Sequence, residues 1–292
     1  MGTIKKIGFI GTGVMGKSMS RNLMQAGFEL AVYTRTQAKA EELIDAGAVW
    51  HDTPASLAAS VDAVITMVGY PSDVREVYFG ENGIIHHARP GTYVIDMTTS
   101  KPALAEEIHS EAKDKGIFAL DAPVSGGDIG AQNGKLAIMV GGDADAFQAA
   151  LPVFEAMGEN IILQGPAGFG QHTKLINQVT IASNMVGVCE AIAYAEHAGM
   201  DPSKVLQSIT TGAAGSFSLS NLAPRMIKGD YDPGFYVKHF IKDMKLALEA
   251  ANEMGMTTPG LELSLSLYER LAENGDEDLG TQALIKLFTK KA

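Results

Sequence analysis

Three stretches of the chain carry residue types at spacings that can do chemistry. Gly11-Thr12-Gly13-Val14-Met15-Gly16 has the G-x-G-x-x-G pattern. Its first glycine permits a tight turn, its second lets a pyrophosphate approach the backbone, and its third lets a helix pack closely on a strand. A helix opening behind such a loop adds unpaired N–H groups and partial positive charge for phosphates. Asp121-Ala-Pro-Val-Ser125-Gly126-Gly127 suits a small anion, because Ser125 can donate a hydroxyl hydrogen bond and two glycines leave backbone N–H groups unshielded. Taken alone, a Ser-Gly-Gly segment reads equally well as an ordinary turn. In Gly165-Pro-Ala-Gly168-Phe-Gly170-Gln-His-Thr-Lys174-Leu-Ile-Asn177, Lys174 and Asn177 stand three apart, so a helix puts both on one face just past a glycine-rich start. A lysine at the head of an apolar run needs a partner or a task, unless it is a plain surface lysine. His172 points to another face and is read as structural or exposed.

A dinucleotide site of the NAD type wants an Asp or Glu about 20 residues beyond the glycines, at the end of the second strand, to accept from the ribose 2′-hydroxyl. No carboxylate occurs between Leu30 and Ala40; the strand end reads Tyr33-Thr34-Arg35-Thr36. Arg35 offers a planar cationic fork suited to a 2′-phosphate, with Thr36 as a hydroxyl donor and Lys39 as a nearby point charge. NADP(H) is therefore the expected cofactor and NAD(H) the alternative, Arg35 in that case being a solvated turn residue.

The elements that must position these residues follow an alternating pattern up to Gln164. Strand candidates are Ile7–Ile10, Leu30–Tyr33, Ala63–Val68, Tyr93–Asp96, Phe118–Asp121, Ala137–Val140 and Asn160–Leu163, with helical spacing between them at Met15–Ala26, Gln37–Ala46 and Pro102–Lys115. Such alternation predicts a mostly parallel, doubly wound sheet. After Gly165 the strand signals stop. Helices are expected over 170–198, 202–211, 218–228, 238–254 and 260–274, punctuated by Gly199, Gly212, Pro233-Gly234 and Pro259-Gly260. Two domains are expected, 1–164 and 165–292.

Composition narrows the partners. With 23 Lys+Arg against 34 Asp+Glu the net charge is -11, which repels a phosphate backbone and offers no basic stripe to anionic lipid. Neither nucleic acid nor a membrane is expected as a partner. The single cysteine, Cys189, forms neither an internal disulfide nor a thiolate metal cluster, so a reducing, cytoplasmic setting is expected and no metal site is assigned. The N-terminal residues lead straight into a first strand rather than a long apolar segment with a cleavage site. The uncharged run Leu175–Cys189 contains Asn177, Gln178, Ser183 and Asn184 and falls short of the roughly 20 residues that cross a bilayer, so it reads as a buried helix.

Taken together, the order Gly11/Gly13/Gly16, then Asp121 to Gly127, then Gly165 to Asn177, then Lys242-Asp243-Met-Lys-Leu-Ala-Leu resembles the β-hydroxyacid dehydrogenases. That group contains 3-hydroxyisobutyrate dehydrogenase, tartronate semialdehyde reductase and the glyoxylate/succinic semialdehyde reductases, and the resemblance covers essentially the whole chain. It implies an α/β Rossmann N-terminal domain followed by an all-α C-terminal domain, joined by one long helix starting near Gly168, with the active site in the cleft between them. Carried over by position, Lys174 resembles the catalytic lysine and Asn177 the polar residue that helps hold substrate. Ser125, Gly126 and Gly127 resemble the loop for the substrate carboxylate. Lys242 is similar to the lysine that approaches the cofactor, Thr99 to the hydroxyl beside the nicotinamide, and Val68 to a residue in the loop after the family's fourth strand. Thr34-Arg35-Thr36 is similar to the Asn-Arg-Thr of NADP-preferring members.

The function this implies is an oxidoreductase interconverting a small hydroxyacid and its semialdehyde or oxoacid, with Lys174 donating and accepting the proton as hydride moves. A small carboxylate is the expected substrate, and the apolar helix Thr173–Ala195 suggests a homodimer or homotetramer. The alternatives are a decarboxylating enzyme like 6-phosphogluconate dehydrogenase, in which a histidine stands where this chain has Ile176, and a non-catalytic NADP-binding sensor. Imine reductases are also similar but usually replace the lysine.

Overall fold

The computed structural model describes residues 3–289; residues 1, 2 and 290–292, which the two expected domains include, lie outside the described residues. The chain divides into two compact units, Met1–Lys174 and Leu175–Ala292.

The first unit is built on a nine-stranded sheet: β1 (Lys6–Ile10), β2 (Glu29–Tyr33), β3 (Val49–Trp50), β4 (Ala63–Thr66), β5 (Tyr93–Asp96), β6 (Phe118–Asp121), β7 (Val124–Ser125), β8 (Leu136–Gly142) and β9 (Gly158–Gly165). The spatial order is β3-β2-β1-β4-β5-β6-β8-β7, with β9 also pairing with β8. All pairings from β3 to β6 are parallel, β8 runs antiparallel to β6 and β7, and β9 is parallel to β8. The strands read as apolar runs because both faces of the sheet are covered. Ile7, Phe9, Val32, Ile65 and Ile95 enter one core cluster. Their neighbours Ile10, Ala31, Val64 and Val94 enter the other, as the two-residue strand period requires.

The second unit is helical: Pro202–Ile209, a π turn Ser218–Leu222 leading into Ala223–Ile227, Val237–Glu253, Pro259–Leu271 and a 3-10 turn Thr281–Leu287. Val237, Phe240, Met244 and Ala247 recur at helical spacing and are buried in one core. There Phe240 meets Tyr268 edge-on with ring centroids 5.0 Å apart, and the Tyr268 hydroxyl donates to the Thr281 carbonyl at 2.8 Å.

The expected α/β then all-helical order is the observed one, and the local differences have local causes. The 37–46 segment forms a 3-10 turn, Gln37–Ala40, before the α-helical Glu41–Asp45. The strand expected over 63–68 stops at Thr66, where the chain leaves the sheet. The two-residue strands β3 and β7 are too short for a period to show in the sequence. The helix Phe169–His197 has 29 residues, so by length and composition it is long enough to cross a bilayer, contrary to the reading of its uncharged stretch alone. The physical reason is that the helix runs on through charged residues at both ends. Leu175, Ala182, Met185, Val188, Cys189 and Ile192 nonetheless lie in the core of the second unit, the use of a core helix.

The units divide nine residues after the end of β9 because the first turns of this helix are tied to the sheet. Asp121 Oδ1 accepts from Gly168 N–H and Oδ2 from Gln171 N–H, both at 2.8 Å.

Candidate active site

Register sets the first half of the site. Tyr33, Ile10, Thr66, Asp96 and Asp121 are Cα partners in sequence across β2, β1, β4, β5 and β6, so they form one row at the carboxyl edge of five parallel strands. Loops leaving such an edge are where open α/β sheets bind ligands. Gly11–Gly16 leaves β1, Thr34–Thr36 leaves β2, Val68 follows β4, Thr99 follows β5, and Ser125–Gly127 follows β6. The fold thus brings these predicted residues to one edge. Two of the loops are linked directly, since Val68 N–H donates to Thr98 Oγ1 at 3.0 Å.

The three glycines of the first loop answer different demands. Gly11 has φ +99, and a Cβ there would stand 2.2 Å from the Met67 carbonyl oxygen. A Cβ on Gly16 would lie 1.9 Å from the Gly11 carbonyl oxygen. A Cβ on Gly13 would meet nothing within 4 Å, so nothing in the protein itself requires glycine there. Gly13 is also the N-cap of the Val14–Gln25 helix and makes no side-chain cap, leaving first-turn N–H groups to an outside acceptor. Thr12 beside it is buried, and its hydroxyl has no hydrogen-bond partner among the described residues. Open space over Gly13, uncapped donors and an unpaired buried hydroxyl fit the diphosphate of a dinucleotide.

At the end of β2, Arg35 is 82% exposed at the side chain, and its Nη1 lies 3.3 Å from Asp73 Oδ1. Asp73 belongs to the Pro71–Phe79 helix, and its other oxygen accepts from Tyr70 N–H at 3.1 Å. A carboxylate therefore stands beside this strand end after all. It arrives from a segment 38 residues away, which a search along the sequence near Arg35 cannot find.

Two buried acids, Asp96 and Asp121, stand at one end of the row. Burial pushes the Asp96 carboxyl up to about 6, against hydrogen bonds from the Thr66 hydroxyl at 2.8 Å and Thr98 N–H at 3.1 Å. Burial also raises Asp121, while the N–H groups of Gly168 and Gln171 pull it back. Ser125 lies in β7 opposite Ala137, and the following glycines take positive φ, +132 at Gly126 and +61 at Gly127. That backbone opens the Gly127–Gln132 helix.

Lys174 is 7% exposed. On its helix Gln171, Lys174 and Gln178 recur at i, i+3 and i+7, one face, and both glutamines are fully buried. Sequence reasoning passed over both glutamines; a polar stripe through an apolar helix was the signal that could have found them. The Gln171 side chain accepts from Ser100 N–H and donates to the Thr98 carbonyl, each at 2.8 Å.

In the second unit, side chains hold one another. Asn177 Nδ2 donates to Gln178 Oε1 at 2.8 Å, and Gln178 Nε2 donates to Asp243 Oδ2 at 2.6 Å. Asp243 Oδ1 lies 3.1 Å from Lys242 Nζ, both side chains being buried or nearly so. His172 meets Phe169 edge-on with ring centroids 6.2 Å apart. Ile176 is 66% exposed. Among the described residues no group of three or more His, Cys, Asp or Glu is arranged to hold a metal ion.

Comparison with known proteins adds to this geometry. Residues 6–165 match the family model described as the NAD binding domain of 6-phosphogluconate dehydrogenase. Residues 168–288 match the model described as "NAD-binding of NADP-dependent 3-hydroxyisobutyrate dehydrogenase". The chain is 63% identical over 286 residues to "Uncharacterized oxidoreductase YkwC" of Bacillus subtilis, covering 98% of this chain and 99% of that one. It is 39% identical to the 2-hydroxy-3-oxopropionate reductase of Escherichia coli, with 96% of each chain covered. The solved structure of Mycobacterium tuberculosis 3-hydroxyisobutyrate dehydrogenase with L-serine superposes with a TM-score of 0.90 at 32% identity, covering 98% of this chain and 99% of that chain.

Proposed function

This chain belongs to the β-hydroxyacid dehydrogenase family, NAD(P)-dependent oxidoreductases acting on CH–OH groups, and from that premise we propose that it interconverts a small hydroxyacid and its semialdehyde or oxoacid, of the 3-hydroxyisobutyrate or tartronate semialdehyde type. The observation that carries this reading is Lys174, a 7% exposed lysine held on a face with two fully buried glutamines. Burying an ammonium is costly, and a lysine kept there has work that a solvated one cannot do.

A bound nicotinamide supplies or takes up the hydride. As negative charge develops on the substrate oxygen, the Lys174 ammonium stabilises it and donates its proton; in alcohol oxidation Lys174 takes that proton back. Ser125 Oγ and the N–H groups of Gly126 and Gly127 hold the substrate carboxylate, with Asn177 as a further polar contact. Gly11 to Gly16, Val68, Thr99 and Lys242 serve the cofactor. NADP(H) is preferred through Thr34, Arg35 and Thr36, but modestly, because Asp73 already shares the Arg35 guanidinium. The second-unit family match and the exposed Ile176 favour alcohol–carbonyl chemistry over decarboxylation. The protein is proposed to work in the cytoplasm as a homodimer or homotetramer.

The test is a panel of 3-hydroxyisobutyrate, L-serine, tartronate semialdehyde, glyoxylate and succinic semialdehyde with each cofactor, followed by nicotinamide absorbance. Lys174→Ala is expected to lower kcat about 10²- to 10⁴-fold while cofactor affinity stays within a few-fold. A kcat near wild type would remove Lys174 from the mechanism. Ser125→Ala is expected to raise KM for the acid and leave the corresponding ester unaffected; equal loss for both would make the segment a structural turn.

A further inference from the structure

The start of the Phe169–His197 helix is fastened at several points to the carboxyl edge of the sheet. A helix leaves its first N–H groups without intrahelical partners. Here Gly168 N–H and Gln171 N–H take the two oxygens of Asp121, at 2.8 Å each. Close packing presses the same turn inward, because a Cβ on Gly170 would lie 2.4 Å from the Met139 carbonyl oxygen and 2.6 Å from that of Asp121. The Gln171 amide then reaches sideways to the next loop, accepting from Ser100 N–H and donating to the Thr98 carbonyl at 2.8 Å. A planar amide holding one donor and one acceptor on a single segment can satisfy both in only one orientation. Gln171 itself is fully buried, so both bonds are shielded from solvent. Lys174 follows one turn later on the same helix face.

We infer that Gln171, seated by Asp121, is a positioning residue: it sets the rotation and depth of this helix turn against the Thr98–Ser100 loop and so fixes where Lys174 presents its ammonium. The inference rests on the proposed role of Lys174. Misplacing a catalytic group by about 1 Å can cost a rate of order 10²-fold with binding left intact. A residue that serves only general stability lowers the number of working molecules and leaves the rate of each one unchanged.

The experiment compares full-length wild type, Lys174→Ala, Gln171→Met and Gln171→Asn, using the fastest substrate of the panel above. Active sites are counted by fluorescence titration with NADPH, and hydride transfer is followed in a single turnover. For Gln171→Met the rate per active site is expected to fall about ten- to a hundredfold, with the NADPH Kd within about twofold of wild type. In the cofactor-free protein the Ser100 amide is expected to exchange with deuterium faster than in wild type. Gln171→Asn keeps both polar groups but withdraws them by one methylene, and is expected to show the same pattern, which supplies the reading if the Met variant does not fold. A wild-type rate per active site in a folded Gln171 variant overturns the inference, as does a fall matched by an equal rise in NADPH Kd. If Lys174→Ala is inactive while Gln171→Met is fully active, only the inference falls. If Lys174→Ala retains the wild-type rate, the Lys174 reading falls and the inference with it.

Discussion

At the carboxyl edge of the first unit's sheet the polar groups offered to a ligand are mainly backbone ones, uncapped behind Gly13 and exposed by the glycines after Ser125. In the second unit they are side chains that hold one another, from Asn177 through Gln178 to Asp243 and Lys242. The first arrangement works by leaving things out, a missing Cβ at Gly13 and a missing cap at the helix start. The second works by linking side chains in series, and removing one member strands its neighbours. The first should therefore tolerate substitution in stability while losing affinity, and the second should lose stability first.

The largest effect is expected in the second unit. Gln178→Leu leaves the buried carboxylate oxygen Asp243 Oδ2 unsatisfied, at a cost above the about 1–3 kcal/mol of a neutral buried group, and unpairs the half-buried Asn177 Nδ2. Urea unfolding should show that loss, while the NADPH Kd changes little. A variant as stable as wild type would mean that the chain of side chains is not the unit's support.

Next comes a contrast inside the glycine loop. Gly16→Ala forces a Cβ onto the Gly11 carbonyl oxygen and should destabilise by about 1–3 kcal/mol, the usual cost of overpacking. Gly13→Ala, with open space around its Cβ, should leave the melting temperature nearly unchanged and weaken cofactor binding. Equal melting temperatures for the two variants would dissolve the distinction between a glycine kept for the fold and one kept for the ligand.

The smallest effect concerns cofactor choice. A tenfold preference for NADPH corresponds to about 1.4 kcal/mol, a modest demand on one exposed guanidinium. Arg35→Asp removes the phosphate partner, places a second carboxylate near Asp73 and should reverse the kcat/KM ratio for the two cofactors. An unchanged ratio would make Arg35 a turn residue.

Much of the first unit was legible before any coordinates, because its devices are local. A G-x-G-x-x-G spacing between a strand and a helix states its own geometry, and strands buried on both faces advertise themselves as apolar runs. The helical order of the second unit was legible for a similar reason, since Val237, Phe240, Met244 and Ala247 repeat at the helical period. Gln171 and Gln178 were given no role because what a glutamine on a helix does cannot be read until its partners are known. Those partners are 71 and 73 residues away for Gln171 and 65 for Gln178.

The same division separates what the amino-acid order determined from what folding decided. Element order, the glycine turn and the shared face of Lys174 and Asn177 all follow from neighbours in the chain, because backbone sterics and side-chain period act over a few residues. The row Tyr33–Ile10–Thr66–Asp96–Asp121, the carboxylate of Asp73 beside Arg35 and the clamp of Asp121 and Gln171 on the helix ahead of Lys174 exist only in three dimensions. Strand register and close helix packing bring together groups tens of residues apart, and hydrogen bonds formed in a buried, low-dielectric interior then hold them there.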